Sequence, residues 1–313
     1  MARPPKSPHI PLRNGVSASS LALPSLRRPP WDTVLDCLAE LLPGVSEADW
    51  ADRMARGQVL DDQGQPLAPD APYVRCQRVY YWRELPQEQP IPFNHTVLHQ
   101  DEHLVVADKP HFLPVTPGGR YVRETLLVRL KDSLGLPNLS PLHRLDRETA
   151  GVVAFSVRPA DRDAYQRLFR ERQVHKVYEA VAPWRAELAF PLTRHTHLRD
   201  DPERFYRMQE APPHPDLPPN SQTRIDVLAR QGARALYRLE PVSGKRHQLR
   251  VHMAALGLPL QGDQFYPVVK KQPGEWEDFS HPLQLLAREL AFTDPVTGAQ
   301  RVFVSQRSLD WPP

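Results

Sequence analysis

The sequence is poor in the residues that mark several common protein classes. Cysteine occurs only twice, as Cys37 and Cys76, far apart and without CxxC spacing. This excludes a disulfide-stapled scaffold and a thiolate zinc site, and it fits a reducing cytosol. Each cysteine reads as small buried filler. No apolar run approaches the roughly 18 residues that a membrane-spanning helix needs. The first residues are basic but lack a continuous apolar stretch, so no secretory signal is expected. A soluble, cytoplasmic protein without a membrane partner is therefore expected. Glycine is also scarce, at 14 of 313 residues, whereas proline reaches 36, about twice the usual share. That combination describes stiffened loops and not a low-complexity chain.

The net charge of +3 is too small to argue for nucleic acid by itself, so the distribution of charge matters more. At about 150 residues per domain, the length suggests two domains, or one large domain with an appendage. Residues 1–30 hold seven prolines, five basic residues (Arg3, Lys6, Arg13, Arg27, Arg28) and no acid. They read as a flexible basic tail. Residues 31–85 form a small domain in this reading. Val34, Leu35, Leu38, Leu41 and Leu42 have helical spacing, and Ser46 with Asp49 gives a capping pattern before a second helix. Short extended pieces follow at 58–60 and 74–82. Residues 86–94 read as a proline-rich linker, and 95–313 as the main domain. There, strands are expected at 104–107, 151–157, 177–181 and 234–239, with a closing hairpin of 285–292 and 301–304. Helices are expected at 124–131, 160–172 and 248–256. Residues 211–220, with five prolines, read as an insertion loop. The fold class is α+β with a mostly antiparallel mixed sheet.

Two segments concentrate chemistry. The first, residues 141–151, sets Asp146 between Arg144 and Arg147, with Glu148 and Thr149 following, just before a buried strand. Flanking cations keep a carboxylate ionised, and strand-end loops commonly display reactive groups. A solvated charged loop is the competing reading. The second, residues 243–252, carries Lys245, Arg246, His247, Arg250 and His252 at a helix start. His247 and Arg250 share one face, and such a cluster suits phosphate or a carboxylate.

These segments resemble the RluA family of pseudouridine synthases. The matching motifs are His143-Arg144-Leu145-Asp146-x-x-Thr149-x-Gly151 and Gly244 to His252 running on to Gly262-Asp263 and Tyr266. Lys176-x-Tyr178-x-Ala180, Val106 to Pro110 and Pro295 to Gly298 match as well, all in family order across about residues 95–307. Ala150 and Leu286 depart from the pattern where serine and histidine are common. The resemblance implies a pseudouridine synthase fold and isomerisation of uridine in structured RNA after base flipping. It makes Asp146 the catalytic carboxylate, Tyr178 the residue against the uracil, and Arg250 the partner of Asp146. Arg144, Arg147, Lys176, Lys245, Arg246 and His247 become RNA contacts. No cofactor or metal is required, because no redox or group-transfer step occurs. A monomer is expected. Residues 31–85 resemble the RNA-binding domain named after ribosomal protein S-four through Arg56-Gly57-Gln58-Val59, although Cys76-Gln77 replaces its usual Gly-Asp. That appendage favours ribosomal over transfer RNA. The rivals are a non-catalytic RNA-binding module, a glycosidase pairing Asp146 with Glu148 or Glu179, and a metal site from His195, His197 and His281.

Overall fold

The computed structural model describes residues 10–83, 88–270 and 275–312, which fall into two compact units, residues 1–88 and 89–313. In the first unit, β1 (Ser19–Ala22) precedes α1 (Val34–Leu41), α2 (Glu47–Ala55), β2 (Val59–Leu60) and β3 (Arg78–Tyr81). The three strands form an antiparallel sheet in the order β1-β3-β2. Both helices begin where side-chain oxygens satisfy free backbone N–H groups. Thr33 Oγ1 accepts from Asp36 N at 3.1 Å while Asp36 accepts from Thr33 N at 2.9 Å, and Ser46 Oγ accepts from Asp49 N at 3.1 Å. Val34, Cys37, Leu38, Trp50 and Met54 then turn one face of each helix into a core shared with Val59 and Val79. Cys37 is thus buried filler as expected, but Cys76 is exposed, in the turn before β3.

The expected flexible tail over 1–30 does not hold for its second half. Residues 1–9 lie outside the described residues, but Val16, Ala18 and Leu23 are buried and β1 pairs with β3. Proline and arginine dominate the average composition there and hide the nearly uncharged stretch 15–24, which can add a strand to an open sheet edge. The expected linker is likewise only partly a spacer. Residues 84–87 lie outside the described residues, yet Ile91 is buried, and Arg129 donates to the carbonyls of Ile91 and Phe93 at 2.8 and 2.7 Å.

The second unit continues with β4 (Thr96–Gln100), β5 (Leu104–Lys109), α3 (Leu126–Leu134), β6 (Ser140–Pro141), β7 (Ala150–Ser156), α4 (Arg162–Arg170) and β8 (His175–Pro183). Then come β9 (Leu192–Thr196), β10 (Leu198–Asp200), β11 (Met208–Glu210), β12 (Ser221–Gln231), β13 (Arg234–Pro241), α5 (Gln248–Ala255), β14 (Leu285–Thr293) and β15 (Gln300–Val304). Ten strands make one sheet with the central order β4-β5-β7-β14-β8-β13-β12-β9, while β15 pairs with β14 and β6 with β7. β10 and β11 form a separate hairpin. Every pairing is antiparallel except β7 with β14, which meet in parallel at Ala150–Leu286 and Gly151–Ala287. Gly151 has φ +115°, and a Cβ there would lie 2.2 Å from the Ala287 carbonyl oxygen. Only glycine lets β14 approach the strand that leaves the Asp146 loop.

Strand β12 escaped the hydrophobic pattern because the inward side of its first half begins with Ser221 and Thr223. Those hydroxyls surround fully buried His252 on α5. Its Nδ1 is 2.9 Å from Thr223 Oγ1, and its Nε2 is 3.0 and 3.1 Å from Thr196 and Ser221 Oγ atoms. Burial pulls the His252 pKa down to about 4. The same cause takes His111 to about 4 and His143 to about 3. His103 goes the other way, raised by its hydrogen bond to Asp161. A histidine whose folded pKa is depressed contributes stability that is complete above the unfolded value near 6.5 and is lost as pH falls toward the folded value. Stability should therefore drop between pH 7 and 5, with His252 contributing about 1–2 kcal/mol of that drop. Urea unfolding at stepped pH should show a smaller acid loss for His252→Gln. An identical pH dependence in the variant and the parent would refute this account.

Candidate active site

Three elements converge on one cavity of about 760 Å3. The first is the loop between β6 and β7, which carries Asp146. Its turn closes through Thr149 N donating to Asp146 O at 3.1 Å. Behind it, fully buried Lys109 at the end of β5 donates to the carbonyls of Pro110, Leu113 and Arg147 at 3.0, 2.8 and 3.0 Å. His111 Nδ1 lies 2.8 Å from the Glu148 carbonyl. Burial pushes the Lys109 pKa down to about 7, against the attraction of Glu148 and Asp146. Three carbonyl partners use all three ammonium hydrogens, so the charged form is the one that fits. The second element is β8, whose Tyr178 lines the cavity. Burial first, then the Asp146 charge, raises the Tyr178 pKa, so the group is a neutral phenol.

The third element is the turn into α5. Gln248 Oε1 accepts from Ser243 Oγ at 2.8 Å and from Lys245 N at 3.2 Å, which folds the turn. His247 then enters the helix at φ +53°. One turn on, Arg250 is 1% exposed. Its Nε and Nη2 donate to the two oxygens of Asp263 at 2.9 and 2.7 Å. Among the described residues its remaining nitrogen, Nη1, makes no hydrogen bond, and it lies 3.6 Å from both Asp146 Oδ2 and Glu148 Oε2. Burial works against the Arg250 charge, but Asp263 outweighs it and raises the pKa. Glu148 is buried in turn. Burial would raise its pKa, but Arg147 and then Arg250 hold it down to about 2.

The expected pairing of Arg250 with Asp146 is thus corrected in one respect. Asp263 is the principal partner, in a bidentate contact, and Asp146 faces the one nitrogen left over. Asp146 itself stays partly open to the cavity, with His247 Nε2 at 4.0 Å. Burial lowers the His247 pKa, and its ring stacks on Phe265 at 6.1 Å.

Arg144, Lys176, Lys245 and His247 line the same cavity as Asp146, Tyr178 and Arg250. Arg147 and Arg246, also expected to meet RNA, lie outside the lining of this cavity. Arg147 forks onto Glu148 at 2.7 and 3.0 Å and reaches Glu277 at 2.7 Å. Arg246 Nη2 braces the β10–β11 hairpin through Asp200 Oδ1 and the carbonyls of Phe205 and Arg207 at 2.8–3.0 Å. Sequence spacing could not separate these protein-paired cations from those without a partner among the described residues. It also gives Lys109 and Asp263 no role, although both lie in motifs that match the family, and it offers Glu148 only as a hydrolase partner of Asp146.

Asp146 is the sole carboxylate among the cavity-lining residues. Glu148 lies behind Arg250, and Glu179 is held by Arg288 at 2.6 Å. Among the described residues, no second carboxylate lines the cavity beside Asp146 as a two-carboxylate hydrolase requires. Among the described residues, no three His, Cys, Asp or Glu side chains are grouped to hold a metal ion. No helix among them is long and apolar enough to cross a membrane.

Residues 103–255 match the family model described as RNA pseudouridylate synthase. An uncharacterised RNA pseudouridine synthase of Synechocystis is 35% identical over 230 residues, covering 69% of this chain and 73% of its own. The dual-specificity RNA pseudouridine synthase RluA of Haemophilus influenzae is 33% identical over 211 residues, covering 66% and 90%. Among solved structures, human RNA pseudouridylate synthase domain containing 4 superposes with a TM-score of 0.51 at 28% identity, covering 67% and 87%.

The geometry ranks the acids around Arg250. Removing Asp263 strands a buried cation, which typically costs about 3–5 kcal/mol. Removing partly open Asp146 leaves Arg250 with its bidentate partner and should cost less than about 1 kcal/mol. Urea unfolding of Asp263→Asn and Asp146→Asn should show that order, and equal losses would mean that Asp146 is the true structural partner.

Proposed function

The chain belongs to the RluA family of RNA pseudouridine synthases, and from that membership we propose that Asp146, Tyr178 and Arg250 carry the isomerisation. The single observation behind this reading is one partly open carboxylate in a cationic cavity, faced by the unbonded nitrogen of a buried arginine. The reaction breaks the bond from C1′ to N1 of uridine and makes one from C1′ to C5. The C5 proton leaves and N1 regains one, so nothing is added or lost. A uracil in a folded RNA is out of reach, so it is flipped into the cavity. Asp146 acts there as the nucleophile or base that frees the uracil. Arg250, fixed in direction by Asp263, keeps its charge beside Asp146. Tyr178 lies against the base, and its neutral hydroxyl accepts one proton as it gives up another. Arg144, Lys176, Lys245 and His247 hold the RNA around the flipped nucleotide.

Ribosomal RNA is the favoured substrate in this reading. The first unit exposes Arg27, Arg28 and Arg75 beside its small sheet, an arrangement suited to a large structured RNA. The protein works as a monomer in the cytoplasm. The rival, a non-catalytic RNA-binding module, has no need of a buried arginine aimed at an open carboxylate.

Incubating the purified chain with unmodified transcripts of ribosomal and transfer RNA should give pseudouridine, chiefly in the ribosomal pool. Asp146→Asn should bind RNA with near-parental affinity and make no product; turnover by that variant would remove Asp146 from the mechanism. Tyr178→Phe keeps the ring and loses the hydroxyl. It should bind RNA normally and turn over about 10²–10⁴-fold more slowly, the usual scale for a lost proton-transfer group. Parental rates in single-turnover assays of Tyr178→Phe would limit this residue to stacking.

A further inference from the structure

Helix α4 ends in a hydrogen-bond pattern that ordinarily calls for glycine. Gln173 N donates to Leu168 O at 2.8 Å and Arg172 N to Phe169 O at 3.4 Å, the two bonds of a Schellman ending. The residue that turns the chain is Arg172, with φ +58°. Three of the other described helices end on glycine. Gly57 follows α2 at φ +64°, Gly135 ends α3 at +66°, and Gly257 follows α5 at +73°. A side chain in this region meets a steric penalty that glycine avoids. Strain kept at this helix end, when the chain closes three other helix ends on glycine, points to use of the side chain.

The location shows what use. Arg172 lines the cavity that holds Asp146 and Tyr178, and it also lines an adjoining recess of about 310 Å3 with His175, Lys176, Glu240 and Val242. Among the described residues its guanidinium has no carboxylate within 4 Å and no hydrogen-bond acceptor. Neighbouring Arg170, by contrast, is held by Asp163 at 2.9 Å. The side chains of Arg144 and Lys245 on the same cavity also lack a partner among the described residues. Burial, and then the Arg172 charge, depress the pKa of Lys176. Glu240 also lines the recess, but Arg238 and Arg224 engage it at 3.0 and 3.5 Å, and the excess of cations left on the cavity favours an anion from outside.

We propose that Arg172 binds a backbone phosphate of the RNA next to the flipped uridine, from the rim where the cavity meets the recess. The inference rests on the RNA-modifying reading of that cavity and extends the RNA-binding surface to the end of α4. Such a contact positions the strand without reading its sequence.

The test uses the full chain, a fluorescently labelled RNA hairpin with a loop of seven uridines, and the variants Arg172→Gly and Arg172→Lys. Arg172→Gly should melt at or above the parental temperature, because glycine relieves the turn. It should also bind RNA more weakly. The slope of log affinity against log salt should fall by about 0.7–0.9, so its deficit shrinks about threefold between 50 and 200 mM salt. Arg172→Lys should keep most of the slope. A lower melting temperature with an unchanged slope would make Arg172 a structural residue and overturn the proposal, as would no change in either. Pseudouridine formation by the parent on ribosomal and transfer RNA transcripts is read in parallel. Its absence would refute the wider functional reading, whereas product formation with an unchanged Arg172→Gly salt slope would refute this contact alone.

Discussion

One buried positive charge organises the second unit. Arg250 is 1% exposed, and a guanidinium so far from water is tolerable only if acids surround it in good geometry. Asp263 supplies two hydrogen bonds, and its own Oδ1 also accepts from the N–H groups of Phe265 and Tyr266 at 2.8 and 3.1 Å. Glu148 supplies a second charge and is itself neutralised by Arg147, which leans on Glu277. The result is an alternating row of Asp263, Arg250, Glu148, Arg147 and Glu277. Asp146 sits beside this row, not inside it. It meets the arginine's field without being locked by its hydrogen bonds, and it stays open to whatever enters the cavity.

The cations of this chain divide into two groups that composition cannot distinguish. Arg147, Arg246 and Arg250 are held by protein acids and carbonyls, whereas Arg144, Arg172 and Lys245 reach the cavity without partners among the described residues. A net charge of only +3 therefore conceals a strongly positive cleft, because the balancing acids lie elsewhere. Affinity for a polyanion depends on that local excess and hardly at all on the total.

Much of the site was legible because its residues are close in sequence or fixed in spacing. Asp146 in its loop, Tyr178 on its strand and Arg250 one turn into its helix all reach the same cavity. Thr33 and Ser46 announced α1 and α2 through local hydrogen bonds, which depend on neighbours alone. What stayed hidden depends on contacts between distant segments. Asp263 becomes the main partner of Arg250 only when the turn after α5 folds back. Arg246 becomes a brace only when the β10–β11 hairpin lies against it. Strand β12 looked polar because its buried Ser221 and Thr223 serve His252, and β1 looked like tail because it borrows its order from β3.

The parallel contact between β7 and β14 has a temporal meaning as well. Leu286 and Ala287 dock against Ala150 and Gly151, 136 residues earlier in the chain. During synthesis the segment carrying Asp146 emerges well before the strand that joins β7 to β8 at the centre of the sheet. Contacts of such long sequence separation are slow to form. Until β14 arrives, β7 and β8 have no common neighbour, and Asp146 and Tyr178, which line the same cavity, have no fixed distance. The nascent chain therefore carries Asp146, Tyr178 and Arg250 before the sheet that sets their spacing is complete.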